Sequence, residues 1–344
     1  MNMDLEQKGP VTIAQVKQKM TGEQIWGKYL ILELSRRKTK DGHEIINLKL
    51  GDRTGDIEGM IWDGKQVGPE FEIGRVIGVV GDRGVYNNRP QMLVRRYKLV
   101  EEDAELYLAA PPVDISALAE RLEGVIASVQ DENLQRLLQA IFTPERKIAF
   151  QKAPGGRKIH HGYSGGLLEH SLSVAAMCEL IASHYTWLNR DLLVSSALLH
   201  DVGKIEEYEI RLTPQYTIAG KLIGHIVMGT ELLAKTVREL RESGDFPENL
   251  SLMLQHILLS HHGTHEWGSP IIPVIPEAFA LHLADNLDAK LFIFQNRIQE
   301  DNEDPFFSNY DVYFQQQFFK YRYPEVVEVG DMENQSESNE EKKE

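Results

Sequence analysis

The chain is nearly devoid of cysteine. Cys178 is alone among 344 residues, which excludes an internal disulfide and a thiolate-built metal site and fits a reducing compartment. No apolar run approaches the ~20 residues needed to cross a bilayer, and the start carries no charged-then-apolar leader. Neither a membrane span nor a signal peptide is expected, and a cytoplasmic protein is. Basic residues are also in deficit: 37 Lys and Arg stand against 52 Asp and Glu, a net charge of -15. Taken whole, that deficit argues against a nucleic-acid partner.

The deficit is uneven. Residues 1–100 carry 17 basic and 13 acidic residues, a net of +4, whereas residues 101–344 carry 20 and 39, a net of -19. Two domains are expected at this length, because single cores seldom grow past roughly 250 to 300 residues. Residues 25–34, 43–51, 56–63, 75–81 and 91–100 favour strands, separated by turn signals such as Lys40-Asp41-Gly42 and the run 85–90. Five short strands, with room for a helix or long loop over 68–74 between the third and fourth, point to an all-β OB-fold barrel over 11–101. A linker follows over 102–114, and periodicity then turns helical over 115–323. Helices are expected near 116–128, 132–142, 165–184, 190–203, 219–242, 248–262 and 276–297. Residues 1–10 read as an extension, and 324–344 as an acidic, disordered tail with few apolar residues.

In the barrel segment, Arg36, Arg37, Lys38, Lys40, Arg83, Arg89, Arg95, Arg96 and Lys98 surround Trp26, Tyr29, Trp62, Tyr86 and Tyr97. Cations interleaved with stacking rings are what single-stranded nucleic acid requires; the competing reading is that the rings are core and the cations a solvated face. Arg157, Lys158, His160 and His161, in a Gly-bounded loop, are further candidates for contact with a phosphate backbone.

Eleven of the 12 histidines fall between His160 and His282, inside the acidic part. Helical phase turns several of them inward. His170 borders the stripe Leu167, Val174 and Cys178, and a nearly all-apolar helix delivers His200 and Asp201. Leu222, His225, Gly229 and Leu232 share a face, as do Leu250, Leu254, Ile257 and His261, with His262 aligned to Leu254 and Leu258. Asp285 lies on the stripe Ala278, Leu281, Ala289 and Phe292. Any one of these could be a hydrogen-bonded core histidine or a cap. Together, buried imidazoles and carboxylates with Lys204 as their one inward cation would be costly without metal ions. Such a donor set suits divalent manganese, iron, cobalt or zinc, and six or more ligands can hold two ions.

His170, the string His200-Asp201-Val202-Gly203-Lys204, His225, Ser260-His261-His262-Gly263 and Asp285 together resemble the HD-domain phosphohydrolases. With a barrel in front, and with 222–226, 266–270 and 284–290 added, the chain resembles the YhaM family of bacterial 3′-to-5′ exoribonucleases over roughly 20–322. The resemblance implies an all-α HD domain behind the barrel and a metal-dependent exonuclease acting on single-stranded RNA. Manganese and a homo-oligomer are implied as well. His170, His200, Asp201 and Asp285 would hold one ion, and Asp201 would bridge to a second held by His225 and by His261 or His262. Lys204 would neutralise charge on the phosphoryl oxygens, while Trp267 either stacks on a terminal base or packs its loop. Two alternatives stay open: a phosphodiesterase or phosphohydrolase of small nucleotides, and an accessory protein that binds single-stranded RNA or DNA.

Overall fold

The computed structural model describes residues 10–64, 67–86, 89–108, 113–156, 163–209, 214–299 and 304–320. Strand β1 (Gln24–Lys38) has 15 residues, enough to serve two neighbours. Its first half pairs antiparallel with β4 (Val76–Tyr86) and its second half with β2 (Glu44–Asp52). A register shift between Ile31 and Glu33 marks the change of partner, as bulges do where strands bend. β3 (Gly55–Ile61) pairs antiparallel with β2 and parallel with β5 (Arg89–Val100), and β5 pairs with β4. The ring β1-β2-β3-β5-β4 is a closed barrel, the expected OB-type arrangement. Ile25, Ile31, Leu48, Leu50, Ile77, Val79 and Met92 fill it, through the period-2 alternation of strands. A short helix that the periodicity does not predict, α1 (Ile13–Gln18), is fixed by a Thr12–Gln15 capping box and adds Ile13 and Val16 to that core.

The helical part begins with α2 (Ile115–Ser128) and α3 (Glu132–Ile141), capped by Asp114 and Asp131. α4 (Pro144–Lys152) is an addition to the expected helices; Thr143 caps it and Pro144 opens it, where proline suits a first turn. α5 (Gly166–His184), α6 (Arg190–Leu199) and the one-turn α7 (Lys204–Glu207) follow. A small hairpin, β6 (Tyr208–Glu209) with β7 (Gln215–Tyr216), leads into α8 (Ile218–Leu222), α9 (His225–Ser243), α10 (Glu248–Ser260) and α11 (Pro276–Gln299). Leu134, Leu138, Leu168, Leu172, Leu193, Leu198, Leu254 and Leu258 belong to one buried cluster that joins these helices.

The single helix expected over 219–242 is two. Gly224, at φ +80°, breaks it, a conformation that favours glycine. The helical phase that placed Leu222 beside His225 is therefore wrong: Leu222 ends α8 and is exposed, whereas His225 opens α9. None of the described helices is long and apolar enough to cross a membrane.

The chain divides into two compact units, 1–292 and 293–344. In the second, Phe294 packs on Phe314 and Phe318 at ring distances of 4.7 and 4.1 Å, and Arg297 Nε donates to Asp311 Oδ2 at 2.7 Å.

Gly203 has no room to vary. A Cβ there would lie 2.1 Å from the His225 carbonyl oxygen and 2.6 Å from the Gly229 amide nitrogen. The turn after His200 is thus pressed against the first turn of α9. Gly203→Ala should destabilise the fold by about 1–3 kcal/mol, the usual cost of overpacking, as read in a denaturant titration; a wild-type midpoint would contradict the close packing.

Candidate metal centre

Helix ends do most of the positioning. His170 projects from α5, His200 caps the C-terminus of α6 and Asp201 lies in the turn beyond it. His225 opens α9, His261 caps α10 with His262 next, and Asp285 sits within α11. The structure brings all seven together in two sets.

In the first set, single donor atoms of His170, His200 and Asp285 lie within 4.8 Å of one another; in the second, those of His225, His261 and His262 do the same. Asp285 Oδ1 is 3.1 Å from His170 Nε2 and 3.9 Å from His200 Nε2. Asp201 stands between the sets. Its Oδ2 is 3.3 Å from His200 Nε2 and 3.7 Å from His170 Nε2, while its Oδ1 is 3.4 Å from His225 Nε2 and 3.6 Å from His261 Nε2.

All five imidazoles point Nε2 inward because Nδ1 is engaged elsewhere. His200, His261 and His262 donate from Nδ1 to the carbonyls of Ala197, Leu258 and Trp267 at 2.8, 2.7 and 2.9 Å. A carbonyl only accepts, so the proton is on Nδ1 and Nε2 presents a lone pair. Carboxylates orient the other two: His170 Nδ1 is 2.7 Å from Asp288 Oδ2, and His225 Nδ1 is 3.1 Å from Glu207 Oε1. Sequence reasoning missed both carboxylates. Asp288, one turn after Asp285, could have been found from helical spacing; Glu207 could not, because it reaches His225 only through the fold.

Lys204 is not a surface residue: it is 6% exposed. Its Nζ donates to Asp201 Oδ2 at 2.5 Å and to the Gly155 carbonyl. Burial disfavours a charged Asp201, but the Lys204 ammonium and neighbouring His200 outweigh it and hold its pKa well below the usual carboxylate range. Burial likewise opposes charge on Asp285, and the His170 hydrogen bond overcomes it, so its pKa is lowered. At His170 burial works against the imidazolium, yet hydrogen bonds to Asp285 and Asp288 raise its pKa to about 9. Burial, then the adjacent His261 and His225, drop that of His262 to about 4.

Three buried atoms in the middle, Asp201 Oδ1, His225 Nε2 and His261 Nε2, have no hydrogen-bond partner. An unpaired buried polar atom costs about 1–3 kcal/mol, and here a carboxylate oxygen and two lone pairs converge. This donor set fits divalent metal ions.

The candidate RNA contacts divide by exposure. Trp62 and Tyr86 are 61% and 62% exposed, available for stacking. Tyr29 is instead barrel core, its hydroxyl donating to the Val11 carbonyl at 2.8 Å. Tyr97 packs edge-on against Phe71 at a ring distance of 4.8 Å. Arg37, Lys38 and Arg96 are exposed, whereas Arg36 donates to the carbonyls of Val67 and Gly68 and Arg95 pairs with Asp82. Arg157, Lys158, His160 and His161 lie outside the described residues.

The sign of the His170 shift predicts proton release. In the metal-free protein its folded pKa, about 9, exceeds the unfolded ~6.5. Its contribution to stability is therefore complete below about 6.5 and lost as pH rises through 9. A metal ion needs the deprotonated Nε2, so uptake at pH 7 should expel about one proton from this residue, a number that falls toward zero as pH rises through and beyond 9. Calorimetry in buffers of different ionisation enthalpy measures this; a pH-independent proton count would contradict it. Asp288→Asn and Glu207→Gln should each weaken metal binding by roughly 10- to 100-fold, the scale for residues that orient a ligand.

An HD domain model matches residues 167–290, and an OB-fold nucleic acid binding domain model matches residues 33–100. The 3'-5' exoribonuclease YhaM of Bacillus subtilis is 34% identical over 276 residues, covering 78% of this chain and 86% of that protein. The 3'-5' exoribonuclease YhaM of a Geobacillus species is 33% identical over 81% of this chain and 86% of its own. Among solved structures, a chain of a replication protein A heterotrimer bound to single-stranded DNA overlaps 35% of this chain and 94% of its own at 21% identity and a TM-score of 0.23. Identity of this extent, over about four fifths of the chain and most of each relative, shows that the chain belongs to the YhaM family of 3'-5' exoribonucleases.

Proposed function

We propose that the protein is a metal-dependent 3′-to-5′ exoribonuclease that hydrolyses single-stranded RNA to nucleoside 5′-monophosphates. The observation that carries this reading is Asp201, whose two oxygens face two separate sets of inward Nε2 atoms. His170, His200, Asp201 and Asp285 would hold one ion; Asp201, His225, His261 and His262 would hold the other, with manganese first in order and iron, cobalt or zinc able to substitute. Two divalent cations would polarise the scissile phosphodiester and bring the pKa of water near neutrality.

The chain's own residues prepare that chemistry. Lys204 keeps Asp201 ionised and turned with one oxygen to each set, which makes it a positioning residue. Asp288, Glu207 and three main-chain carbonyls hold the imidazoles in register. Hydrolysis adds the oxygen of water to phosphorus as the P–O3′ bond breaks. The terminal residue leaves as a 5′-monophosphate, and the shortened strand regains a 3′ hydroxyl.

The barrel supplies affinity for the strand. Arg37, Lys38 and Arg96 meet phosphates, and Trp62 and Tyr86 take bases by stacking, a combination that tolerates any sequence. A single nucleotide would need none of this, which favours the polymer as substrate.

Incubating 5′-labelled single-stranded RNA with Mn²⁺ should give a ladder shortening from the 3′ end, abolished by EDTA. Asp201→Ala should slow it by roughly 1,000-fold or more, the scale of removing a main electrostatic stabiliser; persistence of the RNA under every divalent metal would sink the proposal. Reversing Arg37 and Arg96 to Glu should weaken binding of long RNA and lower the slope of log affinity against log salt by about 0.7 for each phosphate no longer neutralised. Unchanged affinity in that variant would remove the barrel face from the reading.

A further inference from the structure

Trp267 occupies an unusual position for an indole. It lies five residues beyond His262, in a loop fixed by main-chain bonds: its N–H donates to the Thr264 carbonyl at 3.1 Å, and its own carbonyl accepts from His262 Nδ1 at 2.9 Å. Ser269 closes the loop, its N–H on the Thr264 carbonyl and its hydroxyl on that of Leu259, both at 3.1 Å. Gly268, at φ +89°, makes the turn between them. The backbone is thus anchored, yet the indole is 46% exposed.

The ring has neighbours, and they are polar. Lys290 Nζ, from α11, stands 5.0 Å from its centroid, within cation–π range. The His282 ring is 5.9 Å away and tilted by 45°. His282 is itself fixed, donating from Nδ1 to the His261 carbonyl at 2.9 Å. Backing of this kind holds the indole at a set place beside the second histidine set without burying it.

We propose that Trp267 is the stacking platform for the 3′-terminal base of the RNA strand, with Lys290 supporting the ring and supplying positive charge to the bound end. The proposal rests on the exoribonuclease reading and names how that site engages its substrate. An enzyme that removes every residue in turn must accept all four bases. Stacking does this because every base presents a π-face, whereas base-edge hydrogen bonds would discriminate. The barrel holds the body of the strand; the ring of a residue whose main-chain carbonyl accepts from His262 holds its end.

The test uses two 5′-labelled decaribonucleotides, one ending in an ordinary 3′ adenosine and one in an abasic ribose. Binding is read by anisotropy without divalent metal, and removal of the terminal residue is read with Mn²⁺. Wild type should prefer the base-bearing end by roughly 10- to 100-fold, carried mainly in Kd and KM. Trp267→Ala keeps the main-chain carbonyl that holds His262. It should bring the adenosine end down to the abasic level and leave the abasic strand unchanged, while Trp267→Phe restores most of the preference and Lys290→Gln loses part of it. The proposal is overturned if wild type treats both ends alike, or if Trp267→Ala weakens both equally. Should Trp267→Ala fail to fold, the wild-type comparison and the Phe variant decide. RNA left intact in Mn²⁺ would defeat the exoribonuclease reading, while discrimination in binding would still decide the platform.

Discussion

A buried, ionised carboxylate on a turn between two helices governs the arrangement of the helical domain. Asp201 is 2% exposed, and a charge so placed is tolerable only with compensating partners. Lys204 donates to it, and the histidines of four helices turn Nε2 toward its two oxygens. Gly203 lets the turn approach α9 closely enough for His225 to join. The same constraint leaves Asp201 Oδ1 and two Nε2 atoms unpaired. The fold accepts that local cost because these lone pairs converge, which is what a cation requires.

The charge of the chain follows from the division of labour. The barrel segment, at +4, carries exposed arginines and two exposed rings, the surface proposed to meet RNA. The remainder, at -19, holds carboxylates of two kinds. Asp201 and Asp285 line the candidate metal centre, and Asp288 and Glu207 pair with its histidines. The tail 325–344 adds eight acidic and two basic residues far along the chain from it. An acidic domain of this sort can approach a phosphodiester once bound cations have inverted its local field.

The sequence already shows much of this, in parts where periodicity is strong. α2 and α3 begin at Asp114 and Asp131 because those side chains satisfy the free amides of a first turn. The barrel is legible because its alternating strands are bounded by Lys-Asp-Gly and Asn-Asn turns. α1 is not legible at six residues, too short for a 3.6-residue period to register. The break at Gly224 escapes periodicity because the apolar residues on both sides continue one apparent stripe, and only the glycine's positive φ separates them. Among the rings, Tyr29 and Trp62 look equivalent in the sequence, yet one is core and the other is exposed.

By itself the sequence determined residue chemistry and local periodicity: a basic barrel, an all-helical partner, and seven inward donors in the order of an HD phosphohydrolase. These follow from side-chain type and the geometry of helix and strand, which act over a few residues. Tertiary structure alone decided how those donors sort into two sets on opposite oxygens of Asp201, and that Lys204 is committed to that carboxylate. It also recruited Glu207 and Asp288 as orienting groups, and left Trp267 exposed beside His262. Each of those outcomes depends on residues distant along the chain meeting in space, fixed by packing within a buried core rather than by any local pattern.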